Sequence, residues 1–201
     1  YNLAFIVTQN VLEIAAAIFL SEIARPRFKK IAQGAMFLPN FISWVVVGAI
    51  AYNLLSYDFG FVNSLLTRLG LPKWNVYTDA SYWPGIFVFL SAWKHVGYGS
   101  IVYLAAIMGI SSEIYESAAL DGANEWQKIR YITLPGIMPT FIVLLILAIG
   151  NIFRGNFDMF YQLVGTNGLL YNSTDVIDTY VFRSLMTSYE FGMSSAIGLY
   201  Q

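Results

Sequence analysis

The stretch Tyr115-Glu-Ser-Ala-Ala-Leu-Asp-Gly122, followed by Ile132-Thr-Leu-Pro135, carries most of the information in this chain. It lies in a polar, helix-capable region that we call the polar segment (residues 109–135), between two strongly apolar runs. A soluble protein has no reason to interrupt its core in this way. In a membrane protein, such a segment is where a partner outside the bilayer can bind.

The composition indicates a membrane protein. The chain has 201 residues, of which 57% are hydrophobic and 11% charged, whereas ordinary globular domains are about 25% charged. So few charges cannot cover a soluble surface, so we expect lipid as the main solvent. The net charge of −1 argues against nucleic acid as a partner, because phosphate binding needs a basic face. The chain has no cysteine, which excludes disulfides, thiol catalysis and Cys-ligated metal.

Apolar runs of about 17–25 residues predict membrane-spanning helices. The fold class is therefore all-α, a polytopic membrane helix bundle. Because the chain starts at Tyr1 and its last run stops at Gln201, we expect a core truncated at both ends. Four polar residues of the first run should face protein rather than lipid, because polar groups in a span are costly: Thr8, Gln9, Asn10 and Glu13. The predicted spans are Asn2–Leu20, Phe37–Leu55, Pro84–Met108, Ile137–Phe153 and a last one that begins near Met193.

The positive charges in the short loops predict the orientation, because cytoplasmic loops carry an excess of Lys and Arg. Segment 21–36 has four such residues and the polar segment adds Lys128 and Arg130, whereas the longer loop Ser56–Trp83 has only Arg68 and Lys73. The polar segment is therefore predicted to be cytoplasmic. The loop Ser56–Trp83 is rich in Tyr, Phe and Trp, which favours either an aromatic belt at the membrane interface or contact with a partner on the outer face.

The polar segment contains the signals of two short helices. Ser112 is placed to cap the first, Gly122 ends or bends it, and Asn124 with Gln127 forms a capping-box pattern for the second. Pro135 closes the polar segment and, with Pro139, opens the next apolar run, because proline is tolerated in the first turn of a helix. An interfacial helix resting on lipid would carry Lys and Arg opposite bulky apolar groups. The first helix is instead acidic and rich in alanine, so the pattern favours docking of a protein.

The spacing of these residues resembles a known family. Glu116-Ser-Ala-Ala-Leu-Asp-Gly122, nine residues and then Ile132-Thr-Leu-Pro135 resembles the signature loop of permease subunits of binding-protein-dependent ABC importers with the type I, MetI-like fold. Ser117 departs from the usual alanine, a small-for-small change. The stretches Phe37–Val47, Trp93–Ser100 and Val176–Arg183 are similar to the carbohydrate-uptake branch, and within it to the group handling complex oligo- and polysaccharides, including alginate-like glycans.

The resemblance implies one permease core over residues 1–201 and a coupling loop over residues 109–135. It implies a coupling helix that sits in a groove of a cytoplasmic ATPase dimer, which uses ATP and Mg²⁺, while this chain binds no cofactor. The other implied partners are a second permease subunit, identical or paralogous, an extracytoplasmic solute-binding protein, a glycan substrate and lipid. The implied docking residues are Glu116, Ser117, Ala118, Ala119, Asp121 and Gly122.

Polar residues inside or beside the spans are candidates for a substrate pathway. Gly150 and Gly155 interrupt a polar stretch, and aromatic faces with amide and carboxylate groups suit sugars. Ordinary hydrogen bonding between helices explains the same residues equally well. For Lys94, the alternatives are a conduit lining, snorkelling outward, or pairing with an acid of a neighbouring helix. The pathway candidates are Trp93, Tyr98, Asn151, Asn156, Asp158, Tyr161 and Gln162.

Catalytic motifs are not found in the sequence. It has one histidine, no nucleophile or metal-protease signature, and no phosphate-binding loop for ATP. Together with this, the family resemblance implies a non-catalytic permease subunit that takes an oligo- or polysaccharide across the bacterial inner membrane by alternating access. The alternative is a secondary transporter of a small polar solute driven by an ion gradient. That class often shows repeated halves and intramembrane acids, whereas this sequence shows no apparent repeat and only one acid deep in a predicted span, Glu13.

Overall fold

The computed structural model describes residues 1–188 and 191–200, and every regular element in them is helical. This confirms the all-α prediction. Short 3₁₀ or π turns extend or join several helices. The helices in chain order are α1 (Asn2–Glu22), α2 (Pro26–Phe37), α3 (Trp44–Leu55), α4 (Phe61–Arg68), α5 (Trp83–Met108), α6 (Ser112–Leu120), α7 (Glu125–Lys128), α8 (Leu134–Gly150), α9 (Phe157–Val164), α10 (Tyr171–Thr174), α11 (Ile177–Arg183) and α12 (Phe191–Tyr200).

The helices belong to two compact units. The first, which we call the coupling unit, comprises residues 2–41 and 90–151 and contains the polar segment. Its core joins α1, the second half of α5 and α8 through six buried apolar residues. Burial of such side chains is the main favourable term that holds the helices together wherever water is the alternative. The six residues are Ala17, Leu20, Tyr103, Leu104, Ile107 and Ile137.

Polar side chains of α1 turn toward α5 in the coupling unit. The Gln9 amide donates to the Ser91 hydroxyl at 3.0 Å, and the Tyr103 hydroxyl donates to Asn10 Oδ1 at 2.7 Å. The Glu13 carboxylate lies against Gly99, so closely that a Cβ atom there would come within 2.0 Å of it. The prediction that polar residues of the first span face protein is thus confirmed for these three side chains.

The second unit comprises residue 1, residues 42–89 and residues 152–201, and we call it the loop unit. Its core is aromatic: Trp83, Phe87 and Phe160 are buried, and the rings of Phe87 and Phe160 lie 4.2 Å apart. The Trp83 indole N–H donates to the carbonyl of Val76 at 2.9 Å, which satisfies the one polar atom of that buried ring. Helices α3 and α9 pack closely beside this core.

Two predicted spans have different bounds in the structure. Phe37–Leu55 is not one helix, because a 3₁₀ turn (Leu38–Phe41) is followed by a break, after which the Ser43 hydroxyl accepts from the Val46 N–H at 3.4 Å and starts α3. The run Ile137–Phe153 is helical only to Gly150, where α8 ends. The first predicted span is a single helix, α1, and the third is a single helix, α5. Gln201, at the end of the last run, lies outside the described residues.

Lys94 stabilises the break after the 3₁₀ turn. Its side chain is buried, and its ammonium donates to the carbonyls of Pro39 at 3.2 Å and Asn40 at 2.9 Å. The end of a helix leaves carbonyls without intrahelical partners, and the lysine supplies donors for two of them. These two hydrogen bonds differ from the predicted alternatives of snorkelling outward and pairing with an acid, because both acceptors are backbone carbonyls.

By length and apolar composition, two helical runs of the described chain are able to cross a membrane: Asn2–Glu22 and the continuous run Glu125–Gly150. The number rises to four if each of two helix pairs broken by a bend counts as one span. The predicted four complete spans are therefore reached only on that count.

Candidate docking site and polar pathway residues

Helix α6 begins one residue earlier than the sequence indicated. Ser111, not Ser112, is the N-cap, and its hydroxyl accepts from the Glu113 N–H at 3.3 Å. The prediction of Ser112 as the cap is wrong because Ser112 is already the first residue of α6, whereas Ser111 has the non-helical backbone (φ −59°, ψ 130°) of a cap. Glu113 lies in the first turn, where a carboxylate interacts favourably with the positive end of the helix dipole.

The prediction that Gly122 ends or bends the first helix is confirmed, and we call this bend the elbow. Gly122 has a φ of +82°, a conformation that residues with a Cβ atom rarely adopt. The Ala123 N–H donates to the Ala118 carbonyl at 2.9 Å and the Gly122 N–H to the Ala119 carbonyl at 3.1 Å. These two bonds form the Schellman motif, which satisfies carbonyls at the end of α6 and reverses the chain.

The predicted capping box at the start of α7 is confirmed. The Gln127 N–H donates to Asn124 Oδ1 at 2.9 Å, and the Asn124 N–H donates to Gln127 Oε1 at 2.8 Å. Two donors that would otherwise lack partners are thereby satisfied. The start of the second helix is fixed by local hydrogen bonds alone.

Pro135 opens the helix of the apolar run, as predicted, but the second helix of the polar segment does not end before it. Helix α7 continues through a π turn (Ile129–Thr133) into α8, and Pro135 lies in the first turn of α8. In the π turn the Leu134 N–H donates to the carbonyl of Ile129, five residues back, instead of four. A proline has no N–H and normally breaks this ladder, so the wider turn lets the helix pass it. The polar segment is thus directly continuous with the membrane helix α8.

A side-chain hydrogen bond joins α6 to this π turn. The hydroxyls of Tyr115 and Thr133 lie 2.9 Å apart, and Thr133 is buried. Thr133 also reaches the carbonyl of Lys128 at 3.5 Å. We call the Tyr115–Thr133 pair the latch. It ties α6, which is joined to α7 through the Gly122 elbow, to the base of α8.

The elbow borders an open concavity of about 350 Å³. Of the predicted docking residues, Ala118, Asp121 and Gly122 line it, whereas Glu116, Ser117 and Ala119 are exposed on α6 outside it. The sequence reasoning missed the contribution of α7 and the π turn. The Asn124 cap could have indicated this contribution, because it sets where α7 begins and therefore which of its residues face α6. The missed lining residues are Ala123, Gln127, Lys128, Tyr131 and Ile132.

Large apolar side chains are exposed around the concavity. Leu120 is 90% exposed and Trp126 78% exposed, and both lie in the polar segment rather than in a span. Charges beside them are partly paired, since the Lys128 ammonium lies 2.8 Å from Glu125 Oε1. Exposed apolar groups rimmed by polar ones mark interaction sites, so these two residues extend the predicted docking surface.

The predicted pathway residues of the coupling unit lie on α5 and at the end of α8. Trp93 and Tyr98 are exposed on α5, and the Tyr98 ring stacks on Phe37 with the ring centres 6.1 Å apart. The Asn151 amide donates to the carbonyl of Leu147 at 2.9 Å and so completes the last turn of α8. The amide of Asn151 therefore has a structural role.

The remaining pathway residues lie in the loop unit, on α9. Asn156 is the N-cap, with its side chain accepting from the Met159 N–H at 3.2 Å. Asp158, Tyr161 and Gln162 follow at helical spacing on α9, where Asp158 is exposed and the other two are partly buried. The Tyr161 ring also contacts the rings of Phe157 and Phe182, with centres 5.2 and 5.0 Å away. That Asn156, Asp158, Tyr161 and Gln162 line a substrate pathway stays a prediction.

An ion pair that the sequence reasoning missed joins Arg183, the last residue of the stretch Val176–Arg183, to Asp175, the residue directly before that stretch. The Arg183 guanidinium lies 2.7 and 3.2 Å from the two carboxylate oxygens of Asp175 and stacks over the Tyr171 ring at 4.1 Å. Such a two-pronged pair is geometrically specific. Elsewhere in the described part of the chain, no group of three His, Asp or Glu residues is arranged to hold a metal ion.

Two curated relatives resemble this chain over most of its length. Protein LplB of Bacillus subtilis (strain 168) is 35% identical over 92% of the chain, and the polygalacturonan/rhamnogalacturonan transport system permease protein YteP of the same organism is 32% identical over 94%. The chain spans 58% of the length of each.

Solved structures of a bacterial alginate ABC transporter share the fold. One is described as involved in the import of the acidic polysaccharide alginate, and another is in complex with an alginate pentasaccharide-bound periplasmic protein. They superpose with TM-scores of 0.88 and 0.87 at 33% identity over 98% of this chain and 71% and 70% of theirs. The model of the family described as binding-protein-dependent transport system inner membrane component matches residues 13–200. The chain therefore belongs to the family of inner-membrane components of binding-protein-dependent transport systems.

Proposed function

We propose that this chain is the core of a permease subunit of an ATP-driven importer that carries an oligo- or polysaccharide across the bacterial inner membrane. The observation that carries the proposal is the polar segment, in which a capped, exposed helix is tied to the base of a membrane helix by the latch. A second permease subunit, identical or paralogous, completes the path. An extracytoplasmic binding protein delivers the substrate.

The ATPase docks on α6 from the cytoplasm, and ATP and Mg²⁺ bind to that separate subunit. The elbow concavity and the exposed Leu120 and Trp126 supply an apolar contact area outside the spans. Four acidic residues against Lys128 and Arg130 in the polar segment favour a partner groove that is basic. Closure of the ATPase dimer pushes on α6, and the latch and elbow transmit this motion to α8, so that the cavity alternates between its two openings.

The substrate is a glycan of the kind named for the relatives. YteP is named for polygalacturonan and rhamnogalacturonan, and the solved transporter for alginate. In this chain, Asp158, Tyr161 and Gln162 offer a carboxylate, an aromatic face and an amide on one side of α9, which are groups that bind sugar hydroxyls and ring faces. Trp93 and Tyr98 are the aromatic candidates on α5.

The test replaces Leu120 by aspartate in the full-length permease, co-expressed with its ATPase. We expect the affinity of the permease for the ATPase to fall by roughly 30-fold, which corresponds to the loss of a contact of about 2 kcal/mol at an interface centre. Less ATPase should then co-purify. Leu169→Asp, which adds the same charge at an exposed leucine of the loop unit, should leave co-purification unchanged. Equal retention of the ATPase by both variants would contradict the docking role.

Transport itself is measured in reconstituted vesicles that contain the complex and its binding protein. We expect ATP-dependent uptake of at least one of three probes: alginate oligosaccharide, oligogalacturonide or malto-oligosaccharide. Uptake by the permease alone, driven by an ion gradient and without the ATPase, would instead establish the alternative of a secondary transporter.

A further inference from the structure

Helix α4 (Phe61–Arg68) turns its apolar side chains away from the protein. Phe61 is 65% exposed, Leu65 47% and Leu69, directly after the helix, 65%. Their spacing of four residues places them in one stripe, which we call the outer stripe. Asn63, on the opposite side, is buried. A helix resting on the surface of a water-exposed domain has the reverse arrangement, with its apolar stripe facing the core.

Hydrogen bonds of Asn63 fix this orientation. Its amide donates to the carbonyls of Ser56 at 3.0 Å and Trp74 at 2.9 Å, and its Oδ1 accepts from the Trp74 N–H at 2.6 Å. A roll of α4 that buried the outer stripe would break all three bonds and leave buried polar groups without partners. The stripe therefore stays outward unless something else covers it.

The apolar surface of α3 continues into the outer stripe. Val46, Ile50 and Leu54 are exposed at four-residue spacing along α3, which belongs to a helix pair apolar enough to form a membrane span. At its end the Tyr52 ring contacts the exposed Phe59 ring, with centres 6.3 Å apart, and Phe59 leads directly into α4. The Tyr52–Phe59 contact therefore links the exposed apolar residues of α3 to the outer stripe.

The residues around the stripe are of the types found where a bilayer meets water. Helix α4 carries no acidic residue, and Arg68 is exposed on the stripe side. The Lys73 ammonium lies 5.0 Å from the centre of the Tyr57 ring, and the Trp74 and Tyr82 rings meet edge to face at 5.0 Å. Aromatic rings with a polar end, together with basic side chains, settle at headgroup level.

We propose that α4 is an interfacial helix that lies in the plane of the membrane and inserts Phe61, Leu65 and Leu69 between the lipid headgroups and the acyl chains. Lipid is then the partner of this surface, and Asn63 acts as the clamp that presents the stripe to it. This inference concerns the anchoring of the loop between α3 and α5 and does not depend on the transported substrate.

The test uses single cysteines in the full-length permease, assembled in its complex and reconstituted in phosphatidylcholine–phosphatidylglycerol vesicles. The chain itself contains no cysteine, and any cysteine elsewhere in the protein is first replaced. Phe61→Cys, Leu65→Cys and Leu69→Cys are each labelled with an environment-sensitive fluorophore. Thr67→Cys is the matched control, because Thr67 is exposed on the other side of α4.

We expect brominated lipid to quench the three stripe positions more strongly than aqueous iodide does, with the reverse order at Thr67. Stripe positions that iodide quenches as strongly as it does Thr67 would overturn the proposal. Protection from iodide that appears only after the binding protein is added would also overturn it, and would identify a protein rather than lipid as the partner. The three positions are tested separately, so that loss of one variant leaves two.

Discussion

Gly48 and Gln162 bring helices α3 and α9 into backbone contact: a Cβ atom at Gly48 would lie 2.3 Å from the Gln162 carbonyl oxygen. Real Cβ atoms do not approach an oxygen so closely, and the nearest atoms belong to backbone, which cannot rotate away. Small residues at helix contacts in membranes allow such approach. The position of α9, and with it that of the three pathway candidates Asp158, Tyr161 and Gln162, therefore depends on one glycine.

Gly48→Ala should lower the stability of the full-length permease by about 1–3 kcal/mol, because the added methyl group forces α3 and α9 apart. The matched control is Gly34→Ala on α2, where an added Cβ would meet no atom within 4 Å. There alanine should stabilise by about 0.5–1 kcal/mol, because it restricts the unfolded chain. Apparent melting temperatures in detergent, followed by fluorescence size-exclusion chromatography, should move in opposite directions. A shift of the same sign for both would contradict the contact.

Gly122→Val should separate ATP hydrolysis from uptake, because valine in the left-handed region costs about 1–2 kcal/mol and so distorts the elbow. Gly70 is a matched control: its φ is +70°, and neither glycine has an atom within 4 Å of an added Cβ. Gly70→Val should lose similar stability but keep the normal ratio of uptake to ATP hydrolysed. Gly122→Asn should keep most of the coupling, because asparagine tolerates a positive φ. Normal coupling in Gly122→Val vesicles would count against the elbow.

Tyr115→Phe should weaken the transmission of force from α6 to α8 while leaving the ATPase bound. The change removes one hydroxyl and leaves that of the buried Thr133 without its side-chain partner, a cost of about 1 kcal/mol. We expect less uptake per ATP hydrolysed. Tyr82→Phe, which removes the hydroxyl of an exposed tyrosine in the loop unit, should have no effect on coupling.

A double-mutant cycle isolates the latch from other effects of the two residues. If the hydroxyls act as a pair, Tyr115→Phe combined with Thr133→Val should lose less coupling than the sum of the single variants, because each single change already breaks the same bond. Strictly additive losses would show that the two residues act separately.

The polar segment shows where sequence reasoning succeeds and where it stops. The Gly122 elbow and the Asn124–Gln127 capping box were predictable because their hydrogen bonds join residues within five positions of each other. The place of Pro135 in the first turn of α8 was predictable from its residue type. The π turn that joins α7 to α8 just before it was not, because no local residue pattern marks it. The latch joins residues 18 positions apart, a separation for which no local pattern exists.

The same limit applies to Lys94. From the sequence, its side chain could line a pathway, snorkel outward to the membrane interface or pair with an acid. Its two backbone acceptors lie more than 50 positions away, at a break that the apolar run Phe37–Leu55 conceals. Asn63 likewise reads as an ordinary polar residue of a loop until the buried carbonyls it serves are known.

The sequence by itself determined the membrane class, the elbow and the second cap, because composition and hydrogen bonds between near neighbours act whatever the rest of the chain does. Only the tertiary structure decided which side of α4 is outward, which carbonyls hold Lys94, and that Tyr115 meets Thr133. Those features depend on groups far apart in the chain, whose positions are fixed only when the helices pack and each buried polar atom must find a partner.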